Sequence, residues 1–378
     1  MKKTSDSREA FLALVRAGLW GDVMVNGYGL KVKDLPTAID YDKVLRLAEE
    51  QSVVGLVTAG FEKLTVYRLP LTEKLTLLGK CQLIEQRNEA MNRFIAGLVA
   101  KMQEAGIKAV LVKGQGVAQC YERPLWRSAG DIDFMLDEEN YRKAKALLAP
   151  LAAHVETEDK PRMHQGMKFE PWTVELHGTM HTGVSKRINK VVDEVQREVC
   201  THGSIRSWNN GGVEVLLSSP GNDALLIFTH FINHFYGSGI GLRQVCDWCR
   251  LLWTYRGQID VELLHGRLQS MGLLSEWQAF AAMAVEHLGM PEKAMPLYEK
   301  SMHYSRKAKR ICNLILETGD LGHNKDESYR VKHSKQVSNV ITFFRRFAEF
   351  ARIATIFPVD APKFFVTYTT GRIKANTQ

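Results

Sequence analysis

Two aspartates separated by one isoleucine, Asp131-Ile132-Asp133, open the alternating run DIDFML at 131–136. In an extended chain residues i and i+2 project from one face, so these carboxylates stand side by side and each opposes ionisation of the other. A divalent cation between them removes the conflict. Mg²⁺ takes few protein carboxylates and keeps phosphate oxygens and water, so a strand-borne Asp-x-Asp suits magnesium carrying a nucleoside triphosphate. Displacement at phosphorus assisted by two metals calls for another carboxylate near the attacking oxygen. Glu175 is the candidate, because the segment at 172–177 alternates too and sets Thr173, Glu175 and His177 opposite Trp172, Val174 and Leu176. Lys113-Gly114-Gln115-Gly116 supplies a glycine turn whose backbone N–H groups can approach a phosphate, with the Lys113 ammonium as a point charge. Arg127 has two readings, a further phosphate contact or an ion-pair partner of Asp131 or Asp133.

These residues need elements to hold them. Apolar residues at helical spacing cover 40–58 and 73–105, where Leu77, Cys81, Ile84, Met91, Ile95, Leu98 and Met102 recur at threes and fours and Gly106 stands at the end. The period changes at IKAVLV (107–112), which reads as a buried strand, followed by a turn and a short helix at 115–121. DIDFML is the second strand, and Asp137 caps a helix that stops near Pro150. Further strands are expected at 154–158 and 168–178. From Pro220 the pattern is helical again, with a glycine-rich break at 237–241 and further helices at 260–271, 275–288, 293–315 and 335–355. No internal repeat or low-complexity segment is found.

The series Lys113-Gly114, Arg127, Gly130-Asp131-Ile132-Asp133 and Val174-Glu175-Leu176-His177 resembles the uncharacterised nucleotidyltransferase family of the DNA polymerase β-like superfamily. His230-x-x-x-His234 and Leu242-Arg243-Gln244-Val245-Cys246-Asp247 are similar to that family's helical signatures, and the resemblance extends over roughly residues 40–350. It implies an α+β fold: a small mixed β-sheet nucleotidyltransferase core at 106–217, between an N-terminal helical region at 1–105 and a C-terminal helical domain at 218–378. It also implies two Mg²⁺ ions at Asp131 and Asp133 with Glu175 as third acid, an NTP substrate, and attack on its α-phosphate by an unknown acceptor, whether small molecule, protein or RNA. His230, Arg243 and Asp247 then line the cleft from the helical side. One departure stands out. Superfamily members usually carry Gly-Ser or Gly-Gly ahead of the aspartates, whereas Lys113-Gly114-Gln115-Gly116 and a long connection at 117–130 occupy that place here. This departure motivates the alternative of a catalytically silent protein of the same fold that binds an anionic ligand or nucleic acid.

The 378-residue chain is 45% hydrophobic and 24% charged, the composition of an ordinary globular protein. No apolar run approaches the ~20 residues of a membrane span, and a cytoplasmic protein is expected. The six cysteines lack a framework spacing and read as reduced, buried thiols, Cys246-Asp-Trp-Cys249 included. The net charge of +8 resides in residues 301–378, with RKAKR at 306–310 and FFRRFAEFARIA at 343–354. These stretches read as solvated helix faces, or as a holder for RNA. The pairs His177/His181 and His230/His234 have zinc-like i, i+4 spacing but no third ligand nearby in sequence.

Overall fold

The computed structural model describes residues 2–21, 39–64, 69–183, 185–201, 203–320 and 335–366. Among the described residues four helices come first: α1 (Lys2–Trp20), α2 (Tyr41–Glu50), α3 (Val54–Lys63) and the long α4 (Leu71–Glu104). The expected helix at 40–58 is thus two helices, broken at 51–53. Gly106 follows α4 at φ +68°, a left-handed conformation that ends the helix without a Cβ penalty.

The α/β section then runs β1 (Val110–Val112), α5 (Gly114–Ala118), β2 (Ile132–Met135), α6 (Glu138–Leu148), β3 (His154–Val155), β4 (His164–Phe169), β5 (Trp172–His177), α7 (Lys186–Cys200), β6 (Ile205–Asn210) and β7 (Val213–Ser218). The seven strands form one mixed sheet in the order β3-β4-β5-β2-β1-β7-β6. β2 lies antiparallel to β1 and parallel to β5, and β1 is parallel to β7. Where one strand is expected at 168–178, Glu170 and Pro171 instead make the turn of a hairpin and pairing begins at His164. Proline donates no ladder hydrogen bond, so it fits the turn and not the middle of a strand.

Helices resume with α8 (Pro220–Tyr236), α9 (Leu242–Thr254), α10 (Val261–Met271), α11 (Leu274–Glu286), α12 (Met302–Thr318) and α13 (Lys335–Ala354). The fold is α+β, as expected, with helices on both sides of the sheet in the chain. Helices from the two ends of the chain share a core: Trp20 Nε1 donates to Leu288 O, and Gln51 Nε2 donates to Ile315 O at 3.1 Å.

The sheet is buried on both faces, and this decides where the acids point. Ile132, Phe134, Val174, Leu176, Leu111 and Leu217 pack into one core with Met91, Ile95 and Leu98 of α4 and Tyr141 of α6. Because side chains alternate, Asp133 and Glu175 are forced to the other face, toward the core that contains α8 and α9.

The helical core holds an isolated acid. Glu276 of α11 is fully buried; its Oε1 accepts from the Tyr236 hydroxyl at 2.8 Å, and Oε2 has no partner among the described residues. Lost solvation, with nearby Asp360, pushes its carboxyl from 4.5 up to about 7. A group whose folded pKa is raised supports folding fully below its unfolded pKa, and that support is lost as pH rises through the folded value. The urea midpoint of the wild type is therefore expected to fall relative to that of Glu276→Gln between about pH 4.5 and pH 7. Parallel profiles for the two proteins would contradict a buried neutral acid.

Candidate functional site

The centre of the sheet brings the acidic residues together by register. Asp133 of β2 pairs across the parallel ladder with Glu175 of β5, and Val112 of β1 pairs with Asp133 on its other side. Lys113 directly follows β1, so its ammonium reaches over β2 and donates to Asp133 Oδ1 at 3.0 Å. Lys113 adopts φ +59° and Gly114 φ +46°, the sharp exit that turns the chain from strand into α5. Asp131 precedes β2 at the mouth of a cleft of about 250 Å³. The floor is Lys113, Gly114, Asp133 and Glu175, and the opposite wall carries His230 and His234 of α8 with Arg243, Gln244 and Asp247 of α9.

Electrostatics distinguish the three acids. Burial opposes charge on Asp133, but the Lys113 ammonium and a hydrogen bond from His177 Nε2 at 2.9 Å outweigh it and hold the carboxyl well below its ordinary value. Glu175 Oε2 lies 3.3 Å from His164 Nε2 and 3.5 Å from His177 Nε2, and these contacts lower its carboxyl to about 2. Burial disfavours the imidazolium of His177, yet Asp133 and Glu175 raise it above its usual value. Asp131 has no hydrogen-bond or ion-pair partner among the described residues. Lost solvation, then repulsion from Glu175 and Asp133, raises its carboxyl. On the helical wall, burial and the Lys113 charge hold His230 neutral, 3.3 Å from the Lys113 ammonium through Nδ1.

Three of the residues expected at the phosphates are placed differently. Gln115 turns inward, where its Nε2 donates to Asn88 Oδ1 at 2.8 Å. Gly116 faces the core, where a Cβ would lie 2.7 Å from Leu217 Cδ2. Both follow from helical rotation in α5, which leaves Gly114 on the cleft side and carries the next two residues away. Arg127 lines the cleft, but its guanidinium is taken by Asp247, with Nε to Oδ1 at 2.8 Å and Nη2 to Oδ2 at 2.7 Å, while Nη1 donates to Ser128 O at 3.2 Å. It pairs with neither Asp131 nor Asp133. The long connection before the aspartates is held by Asn88, whose Nδ2 donates at 2.7 Å to both Leu125 O and Arg127 O. Arg243 donates to Asp320 at 3.2 Å, a partner without local signal in the sequence.

A family model described as uncharacterised nucleotidyltransferase matches residues 37–289, about two thirds of the chain. The chain belongs to that family. No curated protein and no solved structure matches it. The family match spans the whole sheet together with α8 and α9, hence every residue of the cleft floor and helical wall named above.

The carboxylates fit the divalent cation that such a family usually uses. Asp131 is an unpartnered acid beside two others in one cleft, the arrangement a cation relieves, and all three offer the hard oxygen donors Mg²⁺ prefers. Neither zinc-like pair of the sequence gains a third metal ligand among the described residues: His181 Nε2 lies 2.7 Å from Asp193 Oδ1, while the His230 and His234 rings stand 4.6 Å apart and His234 Nδ1 lies 3.0 Å from Ser238 Oγ. The cluster that does form is His164, Glu175 and His177. His164 was outside the expected strands, and Pro171 was the signal for it, since a turn there extends the alternation back through Lys168 and Gly166 to His164.

The remaining chemistry is structural. All six cysteines are buried and free, and burial raises the Cys246 and Cys249 thiols. Many basic residues of the last stretch serve the fold: Lys307 Nζ donates to Ser275 Oγ, Arg310 to Thr355 O, and Arg352 pairs with Glu317. Residues 321–334 and 367–378 of that stretch lie outside the described residues. Among the described residues no helix is long and apolar enough to cross a membrane.

Proposed function

We propose that this chain transfers a nucleoside monophosphate from a metal-bound NTP to an acceptor hydroxyl, amine or phosphate. The observation that carries this reading is the ladder pairing of Asp133 with Glu175 on the cleft face, with Asp131 unpartnered beside them. Asp131, Asp133 and Glu175 would hold the magnesium, which supplies charge neutralisation at the triphosphate and at the attacking and leaving oxygens. The protein's own groups do the positioning. Lys113, now on Asp133, has a triphosphate oxygen as its alternative partner, and Gly114 lets the backbone come close to it. Glu175 stays ionised at neutral pH and accepts a hydrogen bond from the acceptor's attacking group. Arg243 and His230 close the cleft from the helical side, and the Arg127–Asp247 pair fixes that wall.

Calorimetric titration with ATP, CTP, GTP and UTP in Mg²⁺ tests this. At least one is expected to bind, and Asp131→Ala/Asp133→Ala is expected to lose that binding. Binding by none, or binding unchanged in the double variant, contradicts the proposal.

One observation favours a second reading, a silent member of the family that only holds an anion. Asp133 Oδ1 already accepts hydrogen bonds from Lys113 and His177, so this carboxylate has its partners without metal. Incubation with α-labelled NTPs and a cell extract separates the two: a labelled product that disappears in Glu175→Gln excludes the silent reading.

A further inference from the structure

We infer that His164, Glu175 and His177 form a second cation site for a borderline transition-metal ion of the Zn²⁺ class, which shares Glu175 with the magnesium site proposed above. The inference rests on the geometry of these three side chains and not on the nucleotide reading. His164 of β4 stands directly opposite His177 of β5, and Glu175 projects from the same face two residues earlier. The Nε2 atoms of His164 and His177 lie 3.3 and 3.5 Å from one oxygen, Glu175 Oε2, and the three donor atoms fall within 4.8 Å of one another. Zinc binds imidazole nitrogen and carboxylate oxygen at about 2.1 Å, so two ligands in a tetrahedral site stand about 3.4 Å apart. Both edges that meet at Glu175 already have that length.

The donor set is selective. Two imidazoles with one carboxylate suit Zn²⁺, Fe²⁺, Ni²⁺ or Cu²⁺, whereas Mg²⁺ prefers oxygen alone. The residue opposite Glu175 is Gly166, and the Glu156 carboxylate lies over it. A Cβ there would lie 2.5 Å from Glu156 Oε2, so a larger residue would push that carboxylate aside. The ring nitrogen of His177 that faces Glu175 also donates to Asp133 Oδ1 at 2.9 Å, so a bound cation takes the place of that proton and of this hydrogen bond, and the inferred site borders the aspartates.

The test uses the full chain stripped of metal, with excess Mg²⁺ present to occupy oxygen-only sites. Co²⁺ is titrated in and followed by its visible ligand-field bands, then displaced by Zn²⁺ in competition with a chromophoric chelator. One Co²⁺ per chain, displaced by one Zn²⁺, is expected. His164→Ala changes a side chain that is 31% exposed and is expected to keep the fold while weakening Zn²⁺ binding at least about 100-fold. Asp131→Asn is expected to leave Zn²⁺ affinity unchanged. Absence of Co²⁺ and Zn²⁺ binding, or equal Zn²⁺ affinity in His164→Ala, overturns the inference. Loss of Zn²⁺ affinity in His164→Ala with NTP binding intact separates this site from the nucleotide proposal.

Discussion

Asp133→Asn is expected to cut transfer of label from an α-labelled NTP by about 10³-fold or more, with the far-ultraviolet circular dichroism unchanged. Asparagine keeps the shape of the side chain but removes the charge that Lys113 and His177 now share. The carboxylate is six per cent exposed and stands between β1 and β5, so no neighbouring acid can move into its place. The stability effect is expected to be smaller than the activity effect, because Lys113 and His177 both retain an oxygen to donate to. Residual transfer within about tenfold of wild type would place the metal-binding charge elsewhere.

Arg127→Ala is expected to be the most destabilising single change in the cleft wall, by about 3–5 kcal/mol, because it strands Asp247 as an uncompensated charge in a buried position. Asp247 Oδ1 would keep only the Tyr121 hydroxyl, which donates at 2.8 Å. Replacing both members with apolar residues of similar volume, Arg127→Met with Asp247→Leu, is expected to recover most of that loss. Urea midpoints of the two variants against wild type check this. A loss below about 1 kcal/mol in Arg127→Ala would mean that the guanidinium is not structural and return it to the phosphates.

The acidic centre was legible in the sequence because it obeys a period-two rule. Ile132, Phe134, Val174 and Leu176 can only be buried on one face, so Asp133 and Glu175 had to share the other, and the sheet sets them in register. What was not legible lies at long range. Nothing near Arg127 in the chain announces Asp247, 120 residues on, and nothing near Gln115 announces Asn88, yet both pairings decide whether a polar side chain serves the cleft or the fold. His164 lies between the two, because alternation alone marks a strand from Lys168 with Pro171 inside it, whereas the proline stands at a turn and β4 begins at His164. The helices were easier. The pattern of α4 and its Gly106 stop are local, whereas 40–58 divides into α2 and α3 at Ser52, which adopts φ +55°, beside Gln51, whose side chain bonds Ile315 and Leu242.

The proposed transfer requires one arrangement, a triphosphate seated between the Lys113-Gly114 turn and the helical wall, above Asp131 and Asp133. A crystal structure of the full chain with Mg²⁺ and a non-hydrolysable analogue of the NTP that binds tests it most directly. The expected result is the triphosphate in the cleft, a magnesium ion touching Asp131 and Asp133, and Lys113 on a phosphate oxygen. A nucleotide bound away from the cleft, or a cleft without nucleotide in which Lys113 still holds Asp133, would contradict it.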